Sequence, residues 1–167
     1  MPHAAIQLLL DSLDEAYRGP AWHGPSLRAS LRGLDHRQAA ARPSSGRHNC
    51  WELAIHAAFW KYAVRRRLLA APDGEFPLPG RNFFERPSAT DGASDLHLAN
   101  AWRQDLKLLA KTHEDLCRTV AALSPASLNR PARGHQQTPR FMIEGIAMHD
   151  VYHAGQIQLL RRLLSGR

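Results

Sequence analysis

Between Met142 and Leu164 the apolar residues Met142, Ile146, Ile157, Leu160 and Leu164 fall into one series with His149 and His153, stepping by 4, 3, 4, 4, 3 and 4. Such stepping marks an α-helix that turns one face to a core, because only a 3.6-residue period keeps those positions in line. Two imidazoles therefore stand where aliphatic side chains are the usual occupants. Each brings a pair of polar nitrogens that need partners once buried.

The same stepping recurs upstream and predicts three further long helices. The first covers residues 3–17, with Ile6, Leu9, Leu10, Leu13 and Tyr17 on one face, and Gly19-Pro20 ends it. Residues 20–47 read as an irregular connection with short helices near Ser26–Leu31 and Asp35–Ala41, closed by a Pro43-Ser44-Ser45-Gly46 loop. The second long helix opens at Asn49, with Glu52 three residues on as a capping box. It runs to about Leu69, with Leu53, His56, Trp60 and Ala63 on one stripe.

Residues 71–94 hold four prolines and three glycines, too long a segment for a simple antiparallel turn and long enough to cross a bundle. The third helix starts after Ser94 and carries Leu98, Trp102, Leu106, Leu109, His113, Leu116, Val120 and Leu123, until Ser124-Pro125 stops it. Thr138-Pro139 begins the fourth, which continues to about Leu164. No segment alternates as a strand does, and no internal repeat is evident. The expectation is an all-α chain, a four-helix bundle forming a single domain over residues 1–167.

A chain of 167 residues can bury one full core, so no metal or disulfide is needed merely to fold it. The formal charge of +7 raises the question of nucleic acid. Its arginines are scattered, however, and the one tight run, Arg65-Arg66-Arg67, ends a helix, where cations complement the backbone dipole. No specific nucleic-acid partner is expected. No apolar run reaches the ~20 residues of a membrane span, and Ile6–Leu10 is too short for a secretory core, so a cytoplasmic location is expected. Cys50 and Cys117 are far apart and read as reduced structural thiols rather than a redox or thiolate metal motif.

His149 and His153 lie four apart on a helix, so both rings project over adjacent turns of one face and can converge on one ion. A metal would use one nitrogen of each ring and leave the other for a neighbouring acceptor. Taken alone, such a pair is better read as satisfied core histidines. The His-Asp-Val-Tyr-His string resembles the zincin pattern with Asp in place of Glu, but no His, Asp, Glu or Cys follows His153 to supply the third ligand. Any third ligand must come from upstream. His56, between Leu53 and Trp60, is the first candidate and His113 the second, with core packing the alternative for each.

Two stretches then carry a family resemblance. Trp51-Glu52-Leu53-Ala54-Ile55-His56-Ala57-Ala58-Phe59-Trp60, together with His149-Asp150-Val151-Tyr152-His153-Ala154-Gly155-Gln156-Ile157, resembles the DinB/YfiT-like metalloenzyme superfamily. Trp22-His23-Gly24-Pro25-Ser26-Leu27 and the stretch from Trp102 to Leu116 are similar to its first connection and third helix. The resemblance implies an up-down-down-up helix order, in keeping with a long crossover between the second and third helices. It also implies a divalent metal held by His56, His149 and His153, and it gives no ligand position to His113.

Three neutral imidazoles would leave Zn or Ni an open position, the arrangement of a reactive centre rather than a closed structural one. The resemblance implies a transferase that joins a low-molecular-weight thiol to a small electrophilic substrate. A metal-dependent hydrolase, or a non-catalytic metal-binding protein of stress response or interaction, is the alternative. Arg47, Arg65, Arg140 and Arg161 are candidate holders of an acidic thiol. Glu52 and Asp150 are the carboxylates nearest the histidines, and either could orient a ligand imidazole. No side chain is singled out as catalytic. A small-molecule substrate is the expected partner, and a homodimer is a candidate assembly.

Overall fold

A computed structural model describes residues 3–70, 75–87, 92–131 and 136–165. Among these the chain is all-helical: α1 (Ala4–Tyr17), α2 (Leu27–Leu31), α3 (His36–Ala40), α4 (Cys50–Leu69), α5 (Asp95–Ala121) and α6 (Pro139–Ser165), with a 3-10 turn at Pro125–Ser127. The one β feature among them is an isolated bridge between Arg81 and Phe83. No described helix is long and apolar enough to cross a membrane.

The helix starts follow their capping residues. Asn49 Oδ1 accepts from the Glu52 amide at 2.8 Å, while Glu52 Oε2 accepts from the Asn49 amide at 3.3 Å, so α4 opens with two of its orphan donors satisfied. Ser94 Oγ accepts from the His97 amide to open α5, and Thr138 Oγ1 from the Phe141 amide to open α6. α4 ends where Ala70 turns into the left-handed region at φ 46°.

The four longer helices bury their apolar faces against one another. α1 and α4 each pack on both α5 and α6, while α2 lies on α6 and α3 on α4. One apolar cluster gathers Leu27, Trp51, Ile55, Trp102, Leu109 and Ile157; a second gathers Ile6, Leu13, Val64, Leu116, Ile143 and Ile146. A polar layer separates them, and each of its members falls in sequence between residues of the two clusters. Lys61 from α4 donates to Asp150 from α6, both wholly buried. His113 from α5 donates through Nε2 to Asp14 Oδ1 at 2.9 Å and stacks on Tyr17 at 4.2 Å. Burial pushes Asp150 above the usual carboxylate range despite Lys61, and pushes the Tyr17 phenol up to about 12.

Part of the crossover is described, from residue 75 to 87, and residues 71–74 and 88–91 of it lie outside the described residues. Phe76 and Phe84 are buried against Phe59 of α4, with ring centroids 5.5 and 5.4 Å away. Arg86 donates to Asp105 of α5 at 2.8 Å, and the same carboxylate oxygen accepts from Trp51 Nε1 at 2.6 Å. The crossover is thereby fastened to two helices. The seam expected along α6 falls short at its end: Leu164 is 39% exposed, because the last turn of α6 borders an open groove with Pro25, Ala29 and Arg32.

The buried ion pair yields a test of the core. Lys61→Met should cost about 3–5 kcal/mol, because Asp150 would be left as an unpaired buried carboxyl whose Oδ1 already has no hydrogen-bond partner among the described residues. The double substitution Lys61→Met/Asp150→Leu should recover most of that loss. Urea unfolding of the three proteins measures both, and an additive double variant would refute the pairing.

Candidate metal centre

His56 sits on the buried face of α4, and His149 and His153 are one turn apart on α6. Their Nε2 atoms converge. His149 Nε2 lies 3.1 Å from His56 Nε2 and 3.0 Å from His153 Nε2. Zn–N bonds of ~2.0–2.1 Å set nitrogens roughly 3.3 Å apart around a tetrahedral ion, close to the spacing found. The three residues form one group able to hold a metal ion.

The outer nitrogens show where the ring protons lie. His56 Nδ1 is 2.8 Å from the Asn82 carbonyl oxygen and donates to it, which leaves Nε2 with a lone pair. His153 Nδ1 donates to Gln156 Oε1 at 2.6 Å, and Gln156 Nε2 donates onward to the Tyr152 hydroxyl at 3.1 Å. Two lone pairs thus point at His149 Nε2, which has at most one hydrogen to direct at either. His149 Nδ1 is buried with no partner among the described residues. Two buried imidazoles and a half-buried third, with their Nε2 atoms converging and one nitrogen orphaned, fit a bound cation better than they fit a plain apolar core.

Electrostatics favour the same reading. Burial, followed by the neighbouring His153 and His56, pushes His149 down to about 3, and burial pushes His153 down to about 4. Burial also lowers His56, against the opposing Asn82 carbonyl. All three rings are neutral near pH 7, as metal coordination requires.

The crossover supplies the rest of the frame. Asn82 adopts φ 70°, a left-handed conformation that Asn tolerates, and its side-chain oxygen accepts from Trp60 Nε1 at 2.9 Å. Phe83 is sandwiched between two rings, stacked on His56 at 4.0 Å and on His48 at 3.7 Å. His48 Nδ1 donates to Glu52 Oε2 at 3.0 Å, and Arg42 clasps the same buried carboxylate.

The three imidazoles open on a cleft of about 660 Å³ whose walls include Ser44, Arg47, His48, Phe83, Tyr152 and Gln156. A larger cavity of about 960 Å³ lies beyond Asn82, lined by Phe59, Trp60, Arg66 and Arg67, but none of the three histidines borders it. Chemistry at the imidazoles belongs to the smaller cleft.

Several sequence expectations are corrected here. Neither Glu52 nor Asp150 orients any of the three converging imidazoles: Glu52 is taken by Arg42 and by the ring of His48, and Asp150 by Lys61. A backbone carbonyl and a Gln amide hold the rings instead. Of the four candidate arginines only Arg47 lines the cleft; Arg140 pairs with Glu144, Arg161 donates to the Ser30 and Arg32 carbonyls, and Arg65 is not on its walls. His113 stands apart with Asp14 and Cys117, a second group of potential donors. There the His113 N–H already goes to Asp14, whose carboxylate also pairs with cationic Arg18. Asn82, Phe83, His48 and Gln156 were not singled out in the sequence, although the position of Gln156 one turn after His153 was a usable signal. His135 lies outside the described residues.

A family model described as the DinB superfamily matches residues 21–157. No curated protein and no solved structure matches the chain.

Metal content of purified protein should fall sharply in His56→Ala, His149→Ala and His153→Ala, and should not fall in His113→Ala. Gln156→Ala should weaken metal affinity roughly 10–100-fold by freeing the His153 ring. Elemental analysis and competition titration decide both, and full occupancy in His56→Ala would remove that residue from the site. Acidification tests the neutral rings in the metal-free protein. Unfolded imidazoles bind protons near their ordinary ~6.5, whereas His153 and His149 resist until about 4 and 3. Stability should therefore drop as the pH falls below ~6.5 toward those values. A melting temperature that stays flat from neutral pH down to that range would contradict it.

Proposed function

The chain belongs to the DinB superfamily, and from that premise we propose that it is a metal-dependent transferase, joining a low-molecular-weight thiol to a small electrophilic substrate. His56, His149 and His153 hold a divalent ion, Zn or Ni, through their Nε2 atoms. The observation that carries this reading is the close approach of those atoms, at 3.0 and 3.1 Å, with the ring protons of His56 and His153 turned outward. The long helices are read as one up-down-down-up four-helix bundle, a single domain across residues 1–167. A cytoplasmic location, where low-molecular-weight thiols are kept reduced, suits this chemistry.

A bound divalent ion would supply the charge that keeps a coordinated thiol as its thiolate at neutral pH. The chain's own residues do the rest. Asn82 and Gln156 fix the tautomers that leave the Nε2 lone pairs inward. Phe83, Leu53 and Leu160 give the cleft apolar walls beside the histidines, against which an apolar electrophile can pack. Arg47 stands on the cleft wall as the cation for an acidic thiol. His48, also on the cleft wall, directs its Nδ1 hydrogen to Glu52, so its Nε2 is left as the acceptor that takes the proton the thiol releases.

Metal-loaded protein assayed against several small thiols, including those bacteria use in place of glutathione, with an aromatic electrophile tests the proposal. Conjugation should require metal, fall to the background rate in His149→Ala, and lose most of its rate in His48→Ala. Chelation should abolish it yet leave the helical circular dichroism largely intact, since two extensive apolar clusters hold the helices together. Rates equal to the His149→Ala control with every thiol would refute the transferase reading in favour of hydrolysis or metal binding without catalysis.

A further inference from the structure

The apolar seam of α6 ends at Leu164 on a groove rather than on a neighbouring helix. α2, α3 and the last two turns of α6 border a space of about 760 Å³, within the ~300–1,000 Å³ usual for sites that take small molecules. Pro25, Ala29, Leu34, Ala41, Leu164 and the buried Cys50 give it apolar walls. Among the described residues, no aromatic ring and no carboxylate lies on those walls, but three guanidiniums do: Arg32, Arg161 and Arg162. No residue lines both this groove and the histidine cleft.

Arg161 is held in place. Its Nη1 donates to the Ser30 and Arg32 carbonyl oxygens at 2.7 and 2.9 Å, which anchors the guanidinium at the C-terminal end of α2. Both bonds leave from one nitrogen. The Nε–Nη2 edge, the fork that grips a carboxylate with two parallel hydrogen bonds, meets no acceptor among the described residues. The charge of Arg161 reaches Cys50, where it opposes the rise to about 11 that burial gives the thiol. Several other arginines are matched with acids, as Arg37 is with Asp95, Arg86 with Asp105 and Arg118 with Asp115. Arg32, Arg161 and Arg162 have no such match among the described residues. Complementing the α6 dipole accounts for cations at its last turns. It accounts neither for the apolar walls beside them nor for the open fork.

Charge and wall chemistry together select the occupant. A small hydrophilic anion would leave the apolar walls in water, an aromatic acid would find no ring to stack on, and a cation would be repelled. We propose that this groove is a binding site for an aliphatic carboxylate, a fatty-acid-like monoanion. Its head takes the Arg161 fork, Arg32 and Arg162 add charge at the rim, and its chain covers Ala29, Leu34, Ala41 and Leu164. A guanidinium already fixed by two carbonyls loses little freedom when the anion arrives. The site stands apart from the three histidines and goes beyond the reaction proposed for them.

Isothermal titration of the full chain with laurate, below its micelle concentration, should give saturable binding with a negative heat-capacity change, the mark of apolar burial. Arg161→Lys keeps the charge and loses the fork, and should weaken binding at least ~10-fold. Ala41→Trp leaves every arginine in place and fills the groove, and should abolish binding. Circular dichroism and metal content of both variants should match wild type, which separates a lost groove from a lost fold. Dodecyltrimethylammonium, with the same chain length and the opposite charge, should not bind, and neither should acetate, which has the head without the chain. His149→Ala should bind laurate as wild type does, which distinguishes the groove from capture by an ion at the histidines. The proposal is overturned if laurate does not bind, if Arg161→Lys and Ala41→Trp bind it unchanged, or if the cationic amphiphile binds equally well.

Discussion

The buried pair of Lys61 and Asp150 sets the register on which everything else depends. Taking both charges out of water costs several kcal/mol per ion, and little of that returns as net stability. What the pair supplies is alignment. Lys61 reaches Asp150 at one height of α4 against α6 only, since either charge displaced by a turn would be buried alone. Asp150 directly follows His149, and His56 lies five residues before Lys61. Fixing Lys61 on Asp150 therefore fixes the level at which the His56 ring faces His149 and His153.

That alignment also bears on charge. Lys61 is among the groups that hold His149 deprotonated, and an uncompensated ammonium there would oppose any metal cation as it opposes a proton. Asp150 neutralises it. The result is a site shielded from net positive charge at its back, formed by three neutral rings, in a chain whose formal charge is +7. The carboxylate that looked placed to serve the histidines serves the lysine behind them, and the two arrangements differ in what they provide. A carboxylate on an imidazole would add negative charge to the ligand ring, whereas the Asn82 carbonyl and the Gln156 amide fix tautomers and leave the rings neutral.

The helices and the three histidines were legible because the signals are local. Seams with 3–4 spacing, Asn49 with Glu52, Ser94, and Thr138-Pro139 each act within one or two turns, and the helices begin beside them. His149 and His153 share a face by helix geometry alone. The parts that were not legible depend on distant segments. Asn82 holds His56 through a backbone carbonyl, which no residue type announces, and it comes from a Pro- and Gly-rich crossover without periodicity. Nothing nearby in sequence marks the burial of Lys61, whose acceptor lies 89 residues away. Leu164 continues the seam in sequence yet borders an open groove, since periodicity states which face a residue shares but not where the neighbouring helices end.

α6 presents two different apolar faces. Its inner face spends two core positions on imidazoles, His149 and His153, and keeps the remainder apolar enough to pack on α1 and α4. Its outer face keeps a row of large apolar side chains interrupted by glycine, a residue that costs helix stability of about 1 kcal/mol relative to Ala at each occurrence. Glycine at 145 and 155 gains nothing for the isolated chain, as neither position is crowded. Between the two faces stands Gln156, which orients His153 on one side and donates to Tyr152 on the other. A contact that pins Tyr152 would therefore restrict the same amide that sets the tautomer of His153. The outer face and the histidine cluster share one hydrogen-bond chain three residues long.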